Sequence, residues 1–334
     1  MSVPRSIHLV DLLKIISAFM VVGIHTQPFR YYNTIQVWLF WPIVSLAVPY
    51  FLIVSAYFFW NRETPSLKKY LHRIGLLYVL WLIIDSPILY KELFSNNASL
   101  FRNIAYFIRG LIFGQTYPGS WYLSCSIWAV VISYVVWKYK IRTRYLILGG
   151  AILYTVGKIL IYFQSILPEP IDSLAAKFYD LYGVMQISTF TYFIFVFIGY
   201  LMVMQKRYFE MFKSKWWILV GIVITIIELK FNHIFDFPIS VIAPLVIIPF
   251  MLAYSVTKPF TMPDNVAIRM RKMSTLIYFV HPTFVHLCPP LGKDFVVCHP
   301  IYNFVIVSLL SALIAYILSS NKVSKLVPVA KYLY

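Results

Sequence analysis

The sequence predicts an all-α, polytopic membrane protein with about ten transmembrane helices and both termini in the cytoplasm. Three observations carry this: an apolar composition, regularly spaced apolar runs, and basic residues gathered in every second loop. The chain has 334 residues, of which 60% are hydrophobic and 12% charged. Its mean hydropathy is +0.76. A soluble domain is nearer a quarter charged. In water this composition would leave large apolar patches exposed, with aggregation the expected result. A bilayer removes the problem by being the apolar solvent. The 26 Tyr and 9 Trp suit the headgroup level, where one end of each ring is dry and the other wet.

Crossing the hydrocarbon takes about 17–25 apolar residues. Runs of that kind lie near residues 9–29, 37–60, 74–91, 121–137, 145–165, 186–204, 216–232, 237–256, 274–291 and 301–319. The run near 104–114 is too short and reads as an interfacial or re-entrant piece. Several spans contain proline, namely Pro42, Pro49, Pro87, Pro244, Pro249 and Pro282. Membrane helices tolerate these where neighbours satisfy the freed backbone groups.

The formal charge of +17 would suggest nucleic acid in a soluble protein. Here the basic residues sit in short clusters between apolar runs, so no nucleic-acid partner is expected. Lys68, Lys69 and Arg73, then Lys138 to Arg144, Lys206 to Lys215, and Lys258 to Lys272 mark alternate loops. The intervening loops hold Glu92, Glu169, Asp172, Asp180, Asp236 and Asp294. The positive-inside rule then places both termini in the cytoplasm, and ten spans satisfy it. The N-terminal run contains Lys14 and His25 and is followed by further spans, so it reads as a first helix and not a cleaved signal peptide. No linker or internal repeat appears. Residues 1–334 read as one membrane-embedded domain in the cell membrane, with lipids as its surroundings. Cys125, Cys288 and Cys298 show no metal-ligand spacing, so no metal is expected. Cys288 and Cys298 flank the last extracytoplasmic loop; a disulfide between them is geometrically possible in an oxidising compartment, and two buried free thiols are the expected state.

Ionisable groups inside a span are costly, which makes each one a functional candidate. Lys14 and His25 are eleven residues apart, close to three helical turns, and share one face roughly 16 Å apart. Asp11 lies nearly on that face. Snorkelling to the headgroups can explain Lys14. It cannot explain His25, which is too short and too deep. In the ninth span His281 precedes Pro282, which removes a backbone donor. His281 can line a cavity or bond a freed carbonyl, and the sequence leaves both readings open. Asp85 and Glu228 are candidate partners for buried cations. Lys69 and Arg73, four residues apart, share a helix face. They anchor to lipid phosphates, or they grip one phosphorylated ligand.

These residues resemble the acyltransferase 3 family of membrane acyltransferases. The stretch Asp11-Leu12-Leu13-Lys14 through Ile24-His25 has the spacing of the family's Arg-x10-His helix, with Lys14 in place of Arg. Val48-Pro49-Tyr50-Phe51 through Ser55-Ala56-Tyr57 resembles the end of its second helix, with Ala56 for Gly. Arg73-Ile74 matches a basic step before the third helix, where Tyr70 stands for a second Arg. Gly119-Ser120-Trp121-Tyr122-Leu123 and Ile277-Tyr278-Phe279-Val280-His281-Pro282 resemble two later motifs. The motifs keep their order across nearly the whole chain.

The resemblance implies transfer of an acyl group, usually acetyl from acetyl-CoA, to a hydroxyl of a cell-surface or lipid-linked carbohydrate. Acyl-CoA is then a donor substrate and no cofactor is permanently bound. Some members carry an extracytoplasmic domain after the membrane part. The sequence ends at Tyr334 without one, so transfer is expected to finish in the membrane or through a separate protein. Lys14, Lys69 and Arg73 are the expected acyl-CoA ligands. His25, with His281 as the alternative, is the expected base or nucleophile, a role that needs a neutral imidazole. Tyr278, Ser55 and Trp121 are candidate hydrogen-bond donors to the thioester or acceptor, and Asp85 is a further cavity candidate. The competing reading is a transporter or exporter of a polysaccharide precursor or acylated product, which also uses buried charges and broken helices. The acyl chain, the acceptor and the oligomeric state are not set by the sequence.

Overall fold

The computed structural model describes residues 7–94, 99–114, 116–162, 169–170, 172–173, 176–177, 189–234, 241–258, 260–286, 299–320, 323 and 332–334. Among these every regular element is helical. A helix overlaps each of the ten apolar runs. Four are long and apolar enough to cross a membrane by themselves: α1 (His8–Thr26), α2 (Asn33–Trp60), α6 (Ser120–Lys138) and α12 (Pro300–Leu318). The others are α3 (Leu67–Ile84), α4 (Ser86–Phe94), α5 (Leu100–Phe113), α7 (Thr143–Tyr162), α8 (Thr189–Met204), α9 (Lys215–Ile234), α10 (Ala243–Ser255) and α11 (Asp264–His286). Cys288 and Cys298 lie outside the described residues.

Two helices begin at least seven residues before their apolar runs. In α3, Ser66 caps the N-terminus by accepting from the Lys69 amide at 3.4 Å, so Lys69 and Arg73 belong to the first two turns. In α11, Arg269, Arg271 and Lys272 lie on the helix and not in a loop. Arg269 and Arg271 are held there by partners on other helices, and Lys272 lies over the Tyr334 ring, contacts that hydropathy does not register. The short run near 104–114 is the amphipathic α5, capped by Ser99 accepting from Arg102.

The chain divides into two compact units, one of Met1–Phe51 with Gln205–Tyr334 and one of Leu52–Met204. In the first, α1 packs chiefly on α11, which also packs on α12, while α9 pairs with α10. Arg269 of α11 lies 3.5 Å over the Tyr316 ring and donates to the Tyr316 carbonyl at 3.1 Å, so it covers an end of α12. In α9, Glu228 is buried and accepts from the backbone amides of Val241, Ile242 and Ala243 at 2.6, 2.7 and 2.8 Å. The carboxylate therefore serves the positive N-terminus of α10, with the helix end in the place expected for a buried cation.

In the second unit, α6 packs on α3 and α8, and α7 on α8. Gly199 of α8 faces α2 so closely that a Cβ there would lie 2.6 Å from the Ile53 carbonyl and 2.7 Å from the Ala56 methyl. Ala56 stands where the resembled motif has Gly, and Gly199 supplies the missing space from the facing helix. Gly114 ends α5 with φ 82°, and a Cβ there would overlap the Trp121 backbone at 2.4 Å. Only glycine lets α5 turn this tightly against the start of α6.

Candidate functional site

The site candidates of the first unit lie on α1 and α11. Three contacts show that these helices run parallel. At their N-terminal ends the Met262 amide donates to His8 Nδ1 at 3.0 Å. That leaves the proton on Nε2, which donates to Asp264 Oδ1 at 2.7 Å. One turn further, Arg271 donates from Nε to Asp11 Oδ1 at 2.8 Å and from Nη2 to Asp11 Oδ2 at 2.7 Å. The Asp11 side chain is 2% exposed and that of Arg271 36%. This two-bond geometry fixes register as well as attraction. At the far ends the rings of His25 and His281 stand 5.0 Å apart.

The two imidazoles differ. His25 is half-buried on α1, whereas His281 is 1% exposed. His281 Nδ1 lies 3.1 Å from the Ile277 carbonyl. Since a carbonyl only accepts, Nδ1 carries the proton, and Nε2 holds a lone pair. That Nε2 is buried and has no hydrogen-bond partner. The two readings of His281 are thus both realised: one nitrogen bonds a carbonyl and the other is a bare acceptor. Tyr278 is buried one turn back, its ring 6.3 Å from that of His281 and 5.9 Å from Phe51. His286 completes the group of histidines at this end of α11, close enough to act electrostatically on both. Lys14 is half-buried on α1, three turns before His25.

The remaining candidates lie in the second unit. Lys69 and Arg73 are both exposed on α3. Ser55 is half-buried on α2, and Trp121, also half-buried, opens α6 with its ring 5.2 Å from Tyr192. Asp85 is fully buried at the break between α3 and α4, where its carbonyl accepts from the amides of Ile88 and Leu89. Sequence reasoning did not single out Tyr70, Tyr122 or Ser126, which gather around Ser55. Nor did it pair Asp11 with Arg271, 260 positions away. Among the described residues no three His, Cys, Asp or Glu side chains converge as a metal site.

The acyltransferase domain of the acyltransferase 3 family matches residues 7–320. The chain belongs to the acyltransferase 3 family. Membership in the acyltransferase 3 family agrees with the lysine-to-histidine spacing of α1 and with the histidine before Pro282. Two proteins of Enterococcus faecalis described as amino-acid racemases are also similar. One is 28% identical over 157 residues, which are 44% of this chain and 22% of that protein. The other is 29% identical over 152 residues, 44% of this chain and 21% of that protein. The chain thus matches about a fifth of the length of these curated relatives. No solved structure matches this acyltransferase 3 chain.

Proposed function

We propose that this multi-pass protein of the cell membrane transfers an acyl group, usually acetyl, from cytoplasmic acyl-CoA to a hydroxyl of a cell-surface or lipid-linked carbohydrate. Membership in the acyltransferase 3 family supports the reaction class. The observation that carries the reading is the His25–His281 pair, with an unprotonated, unpartnered Nε2 on His281 beside a half-buried second imidazole. An apolar membrane core leaves such an atom unsatisfied only at a cost, and function is the usual reason.

In the proposed reaction His25 takes the proton from the acceptor hydroxyl as its oxygen attacks the thioester carbonyl. The carbon–sulfur bond then breaks, and the imidazolium returns the proton to the CoA sulfur. A variant has His25 as nucleophile, forming an acyl-imidazole that the acceptor then cleaves. His281 stabilises the charged imidazole through its lone pair and is the alternative base. Tyr278 is the proposed donor to the thioester oxygen. Lys69 and Arg73 are proposed to hold the phosphates of acyl-CoA, with Lys14 as a further cation for the donor. Ser55, Trp121 and Asp85 are proposed for the acceptor side.

Ten crossings with cytoplasmic termini complete the reading. The parallel packing of α1 and α11 supports it, because the basic loops require the first and ninth spans to cross in the same direction. The deciding experiment is acyl transfer from labelled acetyl-CoA by the purified protein. Transfer to a glycan acceptor is expected. Substrate movement across vesicles without thioester cleavage would replace this reading with the transporter.

A further inference from the structure

The second unit contains an element that the proposed chemistry leaves unused, the amphipathic helix α5. Its C-terminal end is fixed. A helix leaves its last carbonyls without internal partners, and here other helices supply them. The Ile112 carbonyl accepts from Ser124 Oγ and from Trp128 Nε1, both at 2.9 Å. The Phe113 carbonyl accepts from Thr189 Oγ1 at 2.9 Å, and the Gly110 carbonyl from the Tyr78 hydroxyl at 3.3 Å. Asn103 and Gly110, two turns apart, form the buried side of the helix. Another side carries Leu100, Phe101, Ile104, Ile108, Leu111 and Ile112, all exposed, with Phe101 at 83%. Their steps of three and four residues make one apolar stripe along the helix. Arg102 and Arg109 stand along a margin of this stripe, also two turns apart. Both guanidinium groups lie over the Tyr106 ring, 5.3 and 4.7 Å from its centre. Arg102 Nε also donates to the Tyr106 hydroxyl at 2.9 Å. No acidic residue occurs on α5. Two like charges on one ring repel, and an anion close to both relieves that repulsion.

We propose that α5 lies in the interface of the outer leaflet and binds an anionic phospholipid, with acyl chains along the apolar stripe and the headgroup phosphate held by Arg102 and Arg109. The leaflet follows from the ten-span topology above, and nothing in the site depends on acyl transfer. A helix with an apolar stripe and basic residues at its margin settles in the plane of the bilayer surface. Guanidinium forks match phosphate oxygens with paired N–H bonds. Arg102 gives one of its five N–H groups to Tyr106 and keeps the rest for a ligand. Tyr106 holds both guanidinium groups near one place, so less freedom is lost when a phosphate arrives. The positive-inside bias makes two arginines in an outer loop an exception, and a phosphate partner accounts for it. A second copy of the chain would also cover the stripe. Contact between two α5 helices, however, would gather four arginines with no acid on either helix to answer them. A zwitterionic lipid has the phosphate but brings an ammonium of its own, so the anionic headgroup is the better fit.

The test uses the purified full chain in detergent, with native mass spectrometry after titration of phosphatidylglycerol or phosphatidylcholine of the same acyl chains. The parent is expected to retain phosphatidylglycerol in preference to phosphatidylcholine. Replacing Arg102→Gln and Arg109→Gln together should weaken phosphatidylglycerol by about fivefold per arginine and leave phosphatidylcholine unchanged. Arg102→Lys with Arg109→Lys keeps the charge and should keep most of the preference, which separates loss of charge from loss of fold. A parent without the preference, or a double Gln variant that keeps it in full, overturns the proposal. So does inorganic phosphate that displaces the lipid, since the site would then bind a free anion. Immersion is tested by a nitroxide on Ile104→Cys in a background without other cysteines, reconstituted in phosphatidylglycerol vesicles. Oxygen should relax the label more than a water-soluble nickel chelate does. The reverse order would place the stripe in water and overturn the proposal. Ready disulfide formation between Ile104→Cys copies in those vesicles would make a second chain the occupant and overturn it as well.

Discussion

The two ends of the α1–α11 pair are built on opposite rules. At the N-terminal ends the acidic groups are bonded: Asp264 accepts from His8, and Asp11 accepts from Arg271 through two hydrogen bonds. At the other end His25 and His281 face each other, and His281 Nε2 is bonded to nothing. The first end spends its polar groups on fixing register; the second withholds one from bonding. Register matters because the side chains of a helix point in new directions with every residue. A slip of one position at the clamp would swing His281 about 100° away from His25. The ion pair and the imidazole pair are in this sense one device, a clamp and what it aims.

The largest expected effect tests the open end. His25→Ala should lower acyl transfer by about 10²–10⁴-fold or more while the detergent melting curve stays that of the parent. A well-folded variant with near-normal transfer would move the base to His281. Next comes the clamp. Arg271→Met leaves the Asp11 carboxylate buried without its cation and should cost about 3 kcal/mol in stability. Asp11→Asn should cost about half of that, because Arg271 is partly exposed and can reach water. Equal losses in the two variants would mean that Arg271 is no better solvated than Asp11. If the clamp aims the imidazoles, both variants also lose transfer rate per folded molecule, and a purely structural pair would not produce that loss.

A smaller effect is expected along the face between the two ends. Lys14→Ala should weaken acyl-CoA binding about tenfold with little change in the rate from the bound state. Lys14→Arg should bind as well or better, since a planar guanidinium suits phosphate. Titration with CoA separates the two. The smallest effect belongs to the outer hydrogen-bonded pair, His8 and Asp264. Asp264 is 78% exposed at its side chain, so His8→Asn should change stability by no more than about 0.5 kcal/mol. A larger loss on the melting curve would show that the clamp begins at His8 and not at Asp11.

Much of this was legible in the sequence because the bilayer makes hydropathy so strong a signal. Among the described residues a helix overlaps each apolar run, and the eleven-residue step from Lys14 to His25 places both on α1. The importance of His281 was visible beside Pro282. Its meeting with His25 was not, because nothing local in either helix reports a neighbour 256 positions away. The pairing of Arg271 was hidden for a related reason. A basic residue at a helix end reads as a topology signal whether or not a carboxylate waits across the interface. The hydroxyl group around Ser55 was invisible because Tyr and Ser are common in membrane helices.

Glu228 carries a consequence for how the chain enters the bilayer. Its three acceptor contacts all go to amides at the beginning of α10, which is synthesised after α9. During synthesis α9 therefore reaches the translocon with a carboxylate and none of those amides beside it. A lone acidic residue deep in a span disfavours insertion by about 2.5–3.5 kcal/mol at the helix centre, and less towards the end. The penalty disappears once the Val241–Ala243 amides arrive. α9 and α10 should then leave the translocon together as a hairpin, with α9 waiting for its successor. Nascent chains arrested before and after residue 243 would show it as a step in carbonate-resistant insertion, and Glu228→Leu would abolish the step by letting α9 insert alone.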